Sequence, residues 1–157
     1  MMFGFSTGVS PIISYKFGAG NKEELKNIKK NSFIIFGTLS IICFITSLIV
    51  IYPVANVFSG GNMDVYNMTV SNYKYFSFSL IFMGVSIFAS SYFTAIGDGL
   101  TSLVISTLRT LVFLASSLIL LPLIFNENAL WFSTSLAELL GAIVSVGLIY
   151  YKSIKIK

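Results

Sequence analysis

The chain has no histidine and one cysteine, and charged side chains make up only 10% of its 157 residues. Without histidine, imidazole acid–base catalysis and most zinc sites are excluded. Cys43 lies inside an apolar run, cannot form an internal disulfide, and reads as a small packing residue. There is no phosphate-binding glycine loop, no metal-spaced histidine or cysteine set and no nucleophile–base pair. Phe17-Gly18-Ala19-Gly20 follows no strand and is not a nucleotide fingerprint. The opening Met1-Met2-Phe3-Gly4 lacks the basic segment of a secretory signal peptide. Soluble domains carry about 25% charged residues. At 10% a fold of this size has too few polar side chains to cover its surface in water.

What is abundant is apolar. Hydrophobic residues make up 55% of the chain, with fifteen phenylalanines and eight tyrosines. A bilayer removes the need for a polar exterior, because lipid is itself an apolar solvent. The formal net charge of +4 is confined to a few places, which points to membrane topology and away from a nucleic-acid partner.

A spanning helix needs about 20 mostly apolar residues. Four stretches qualify: 33–52 and 75–96 without a charge, 102–125 with Arg109 alone, and 129–151 with Glu138 alone. A fifth, 1–15, would rise only about 22 Å as a helix. That is short for a hydrocarbon core of about 30 Å, so it reads best as the last part of a helix begun upstream; a re-entrant or interfacial segment is the other reading. The expectation is an all-α membrane protein of four complete transmembrane helices plus the end of a fifth, in one transmembrane domain over residues 1–157.

The connections differ in character. Lys16–Lys30 holds five lysines against Glu23 and Glu24. Gly18, Gly20 and Asn21 supply a helix stop and turn there, and the part from Glu23 onward predicts a short amphipathic helix at the membrane surface. Pro53–Lys74 predicts a longer polar loop, with Gly60-Gly61-Asn62 as its turn. Gly97-Asp98-Gly99 and Asn126-Glu127-Asn128 predict tight turns between antiparallel neighbours. Lysine and arginine favour the cytoplasmic side. The Lys16–Lys30 segment and the tail Lys152, Lys155 and Lys157 are separated by an even number of spans, so both fit the cytoplasm, in a plasma-membrane protein with a cytoplasmic C-terminus.

Arg109 and Glu138 are the ionisable residues inside spans, and each is costly if exposed to lipid. Arg109 lies about 10 Å from the inner end of its helix and Glu138 about 14 Å from the outer end of its own. Helical side chains lean toward their own N-terminus, so the two heads diverge, and this argues against a direct salt bridge. Arg109 then either snorkels to the inner interface or takes part in function. Glu138 either makes an interhelical hydrogen bond, with the acid protonated, or handles protons or substrate. Ser86, Ser90, Ser91 and Tyr92 place hydroxyls along the second complete span, lining a polar path or bonding helical carbonyls. Pro11 is expected to kink the first helix by removing a backbone hydrogen bond. Gly4 with Gly8, and Ala137 with Gly141 and Ser145, show the four-residue spacing that lets helices approach closely in lipid.

The run from Gly8 through Pro11 to Gly18-Ala19-Gly20-Asn21 resembles the end of the eighth helix of MATE (multidrug and toxic compound extrusion) transporters, where a G-x-x-P-x-x-x-x-x-x-G-A-x-N stretch precedes a basic segment. Tyr92-Phe93-Thr94-Ala95-Ile96-Gly97 is similar to their tenth helix and following turn. Ser106–Arg109 with Leu111-Val112-Phe113 resembles the start of their eleventh, and Ala129-Leu130-Trp131-Phe132-Ser133 with Ala137-Glu138 their twelfth. The resemblance covers essentially the whole chain, about the last third of such a transporter. It implies a twelve-helix protein of two lobes, with the N-terminal lobe outside this chain. It also implies export of a drug or other small organic substrate, driven by a sodium or proton gradient through alternating access, without a bound cofactor. Some members carry a coupling acid on the tenth helix; the span 75–96 has none, so the coupling site is not located by resemblance. A lipid-linked oligosaccharide flippase of the wider superfamily and a non-transporting membrane scaffold are the competing readings.

Overall fold

In the computed structural model, which describes residues 2–125 and 129–155 with side chains through Lys152, every regular element is a helix. The elements are α1 (Met2–Gly18), α2 (Lys22–Phe58), α3 (Met63–Ser77), α4 (Ser79–Ala95), α5 (Gly99–Thr107), a π-helical segment (Leu108–Phe113), α6 (Leu114–Ile124) and α7 (Leu130–Lys155). Three stretches are long and apolar enough to cross a membrane: Lys22–Phe58, Gly99–Ile124 and Leu130–Lys152. A fourth is available if α3 and α4, bent by 42° at Phe78, form one broken span. Three of the four expected spans are thus recovered, the fourth (75–96) is matched if α3 and α4 count as one broken span, and α1 coincides with the short first stretch.

Two expected connections are corrected. The basic segment from Glu23 is not a separate surface helix. It is continuous with the first complete span, because Asn21 caps Glu24 N–H and no proline interrupts the run from there to Pro53, with Gly37 taken up inside the helix. Nor is Pro53–Lys74 mainly a loop. Pro53 lies inside α2, where a proline removes one backbone donor but leaves the rest of the ladder intact; spanning helices tolerate this. The turn proper is short. Gly60 and Gly61 adopt φ of +56° and +88°, the left-handed region that glycine enters at little cost. Asn62 Oδ1 then accepts from the N–H groups of Asp64 and Val65, starting α3 through a sequence whose polar residues had read as loop.

The break at Phe78 also has a local cause. Ser135 of α7 donates its hydroxyl to the carbonyl of Tyr75, and lies 3.3 Å from that of Phe76. A side chain inserted among the last carbonyls of a helix is a recognised source of a bend. The turn Asn126–Asn128 lies outside the described residues.

α4 forms the centre of the bundle, packing against α1, α2, α5 and α7. Its Phe88 and Phe93 are fully buried together with Phe36 of α2, Ile13 of α1 and Ile105 of α5. The Phe88 ring meets Phe33 at 4.9 Å and Phe36 at 5.3 Å. Gly84 is what lets α2 approach α4, since a Cβ there would run into Ser40 Oγ. The outer faces of α2 and of α5–α6 instead expose isoleucines and leucines, as lipid-facing surfaces do.

Candidate functional site: a buried ion pair beside a π-helical turn

Arg109 and Glu138, placed in separate spans by the sequence, are brought together. Arg109 Nε donates to Glu138 Oε1 at 2.9 Å, and the two side chains are only 15% and 11% exposed. This corrects the expectation that their heads diverge, and Arg109 does not snorkel to the interface. The heads meet because the helix that carries Arg109 is not unbroken α-helix and because the arginine stem reaches across to α7. The stem lies flat against α7 because residue 141 is glycine: a Cβ there would stand 3.2 Å from Arg109 Cγ. Of the small-residue pairs expected to mediate close approach, Gly141 does so, whereas Gly4 and Gly8 have no neighbour within 4 Å of the Cβ position.

The π-helical segment contributes a second element. Ser117 is the buried position of α6, and its carbonyl accepts the Ser133 hydroxyl of α7 at 3.1 Å. Eight residues of unbroken α-helix would rotate Ser117 about 80° away from Arg109, at 3.6 residues per turn. Absorbing one residue in a wider turn cuts that offset to about 20°. Both residues therefore face α7. A π-helical turn inside an α-helix is uncommon and frequently marks a functional position.

The pair is incompletely satisfied. Glu138 Oε2 is buried without a hydrogen-bond partner, and so are the hydroxyls of Ser86 on α4 and Ser145 on α7. Glu138, Gly141 and Ser145 follow one another along a single stripe of α7, at the i, i+3, i+7 spacing of one helical face. Ser86 Oγ stands 3.3 Å from the Gly141 Cβ position, over the middle of that stripe. An acidic oxygen with open lone pairs thus lies on the same buried interface as two hydroxyls that can donate or accept.

Ser90 and Tyr92 occupy other faces of α4. Ser90 Oγ pairs with Ser102 Oγ at 2.9 Å and Ser106 Oγ at 3.0 Å, and Thr94 Oγ1 reaches Ser102 Oγ at 2.7 Å. These hydroxyls join α4 to α5 one to two turns before Arg109. The Tyr92 ring lies in the aromatic core against Phe88 and Phe93, with Lys29 Nζ 5.9 Å from its centroid. Pro11 lies inside α1, which runs on past it to Gly18. Cys43 is half-buried and lines an apolar cleft of about 470 Å³ with Ile42, Val50 and Tyr73.

Sequence reasoning missed a second polar cluster. At the turn between α4 and α5, Asp98 caps α5 by accepting from Thr101 N–H and Oγ1–H, and it forms an ion pair with Lys152 of α7. The Lys152 ammonium, helped by Thr101, holds the Asp98 carboxyl below the usual carboxylate range. The cap was legible as Asp followed three residues on by a helix's first turn; the Lys152 partner, 54 residues away, was not. Ser6 with Ser91, and Ser14 Oγ with the Ala95 carbonyl at 2.7 Å, likewise tie α1 to α4. Among the described residues no group of three or more His, Cys, Asp or Glu is placed to hold a metal ion.

No curated protein and no solved structure matches the chain. A family model does: MatE matches residues 1–119. With three to four membrane-spanning helices, no regular element other than helix among the described residues and more than half of its length matched, this chain belongs to the MatE family of membrane transporters.

Proposed function

We propose that the chain forms part of the C-terminal lobe of a cation-coupled antiporter that exports drugs or other organic compounds by alternating access. In this reading it works in the plasma membrane beside an N-terminal lobe, with its own C-terminus in the cytoplasm. A sodium or proton gradient supplies the energy, and a small organic molecule is the substrate. The observation that carries the reading, within a MatE chain, is a buried carboxylate in a spanning helix with one oxygen unfilled. Such a group is costly to keep in a membrane interior and is a functional candidate by default. The pairing of Arg109 with Glu138 weighs against the flippase reading, which calls for free cationic charge inside the membrane.

The test is efflux of ethidium from cells making the chain together with its N-terminal lobe. Dissipating the proton and sodium gradients in turn identifies the coupling ion, and efflux that persists without either would sink the proposal. Glu138→Gln is expected to change the pH dependence of efflux per folded molecule, although it leaves Arg109 without its counter-charge and so lowers the folded yield. An unchanged pH profile with reduced yield assigns Glu138 a packing role only. Cysteines at Leu100 and at Ser59, in a Cys43→Ser background, are expected to label from the cytoplasmic and the external side respectively.

A further inference from the structure

We propose that the exposed face of α2 is a binding site for an anionic phospholipid, with its phosphate headgroup on Lys26 and Lys30 and its acyl chains along Ile34 and Ile41.

The geometry begins with the continuity of α2. Its 37 residues rise about 55 Å at the standard pitch. A bilayer is about 40–45 Å thick with its headgroups. The apolar run starts at Phe33, so the lysine-bearing turns before it pass through the headgroup layer along the helix axis and project into water. Lys30 sits at the boundary, and Lys26 is one turn, about 6 Å, farther out.

The lysines of this rim are not equivalent. Lys16 is ion-paired with Glu24, Lys152 with Asp98, and Lys29 lies over the Tyr92 ring. Lys26 and Lys30 are exposed, and no carboxylate lies within ion-pair distance of either among the described residues. They stand four residues apart, so they share one face. The same face continues into the membrane with Ile34 at 58% exposure, Ile41 at 54% and Ile45 at 52%. From Lys30 to Ile41 the helix rises about 16 Å, close to half of the hydrocarbon thickness of about 30 Å. One stripe thus offers two cations at headgroup depth and branched aliphatic side chains through one leaflet. That is the charge and length pattern of a single anionic phospholipid. A zwitterionic lipid would bring its own ammonium against the same two lysines and gain less.

The experiment uses the full chain in detergent, equilibrated with phosphatidylglycerol and phosphatidylcholine of identical acyl chains, with retained lipid counted by native mass spectrometry. Wild type is expected to retain phosphatidylglycerol over phosphatidylcholine. The variant K26Q/K30Q should lose that preference by about 25-fold, at about fivefold per lysine. K26R/K30R should keep it, and K74Q, in α3, should leave it unchanged. Equal retention of the two lipids by wild type overturns the proposal. So does unaltered phosphatidylglycerol retention in K26Q/K30Q, or an equal loss in K74Q, which would show a response to net charge alone. Displacement of the lipid by millimolar inorganic phosphate overturns it as well, since the isoleucines would then contribute nothing. All of these substitutions are on exposed side chains, so the folded protein remains available for each measurement.

Discussion

Arg109 and Glu138 are joined by a single 2.9 Å hydrogen bond from Nε to Oε1, and the second carboxylate oxygen of Glu138 has no partner. The bond closes a contact between the α5–α6 stretch and α7 in which each charge is tolerated only because the other is present. Removing one partner leaves an uncompensated buried charge, which costs about 3–5 kcal/mol, whereas replacing both by apolar side chains is often neutral or stabilising. Arg109→Leu is therefore expected to lower the thermal midpoint of the chain in detergent sharply. Arg109→Leu combined with Glu138→Leu should recover most of the loss. Additive losses in the double variant would show that the two residues do not act as a pair.

The π-helical turn gives a second expectation at the same contact. Deleting Leu111, which is 67% exposed, removes the extra residue without emptying the core. The turn then closes to α-geometry with about seven residues from Arg109 to Ser117, an offset of about 20°, so both still face α7. The deletion should therefore cost much less stability than Arg109→Leu, and adding Arg109→Leu to it should cost as much as in the undeleted chain. Thermal unfolding followed by circular dichroism reads both. A deletion as costly as Arg109→Leu would mean that the wide turn itself, and not the register it keeps, holds the pair together.

These two features also mark where the sequence stopped being informative. The spans were legible because hydrophobic run length is set by bilayer thickness, a property of each segment alone. Arg109 and Glu138 stood out because charge in such a run is rare. Their pairing was not legible. It depends on a six-residue change of helical pitch with no Gly or Pro to announce it, and on the absence of a side chain at Gly141. Pro53 and the polar residues of α3 misled for the opposite reason: local breaker and polarity signals were outweighed by packing of α3 on α2 and α7. Gly84 was not singled out at all, because a glycine's need for space is decided by a neighbour 44 residues away, here Ser40.

That neighbour supplies a third test. A methyl group at residue 84 would overlap Ser40 Oγ, while Phe36 Cδ1 would remain at an ordinary 3.5 Å. Overpacking of this kind costs about 1–3 kcal/mol. Gly84→Ala should destabilise the bundle, and Ser40→Ala in the same chain should restore it by removing the overlapping hydroxyl. Ser40→Ala alone should be close to neutral, because that hydroxyl is buried without a hydrogen-bond partner. If Gly84→Ala is no better in the Ser40→Ala background, the conflict lies elsewhere in the α2–α4 contact.

Asp98 connects the inner turn to α7 and sets a pH dependence whose sign follows from its environment. Its carboxyl is held below the ordinary range in the folded chain, foremost by the Lys152 ammonium. The unfolded chain therefore takes up a proton first as the pH falls. The stabilisation is fully present above the unfolded value of about 3.9 and is lost as the pH drops through the folded value. Asp98→Asn keeps a good capping side chain but removes the charge, so the gap in thermal midpoint between wild type and this variant should be constant from pH 8 to pH 5 and shrink below about pH 4. Asp98→Ala should lose about a further 1 kcal/mol, because the cap on Thr101 N–H goes too. Both partners are partly exposed, at 33% and 26%, so salt should narrow the gap at neutral pH. A gap that survives undiminished at pH 3 would show that hydrogen-bond geometry, and not the charge of Asp98, holds this turn against α7.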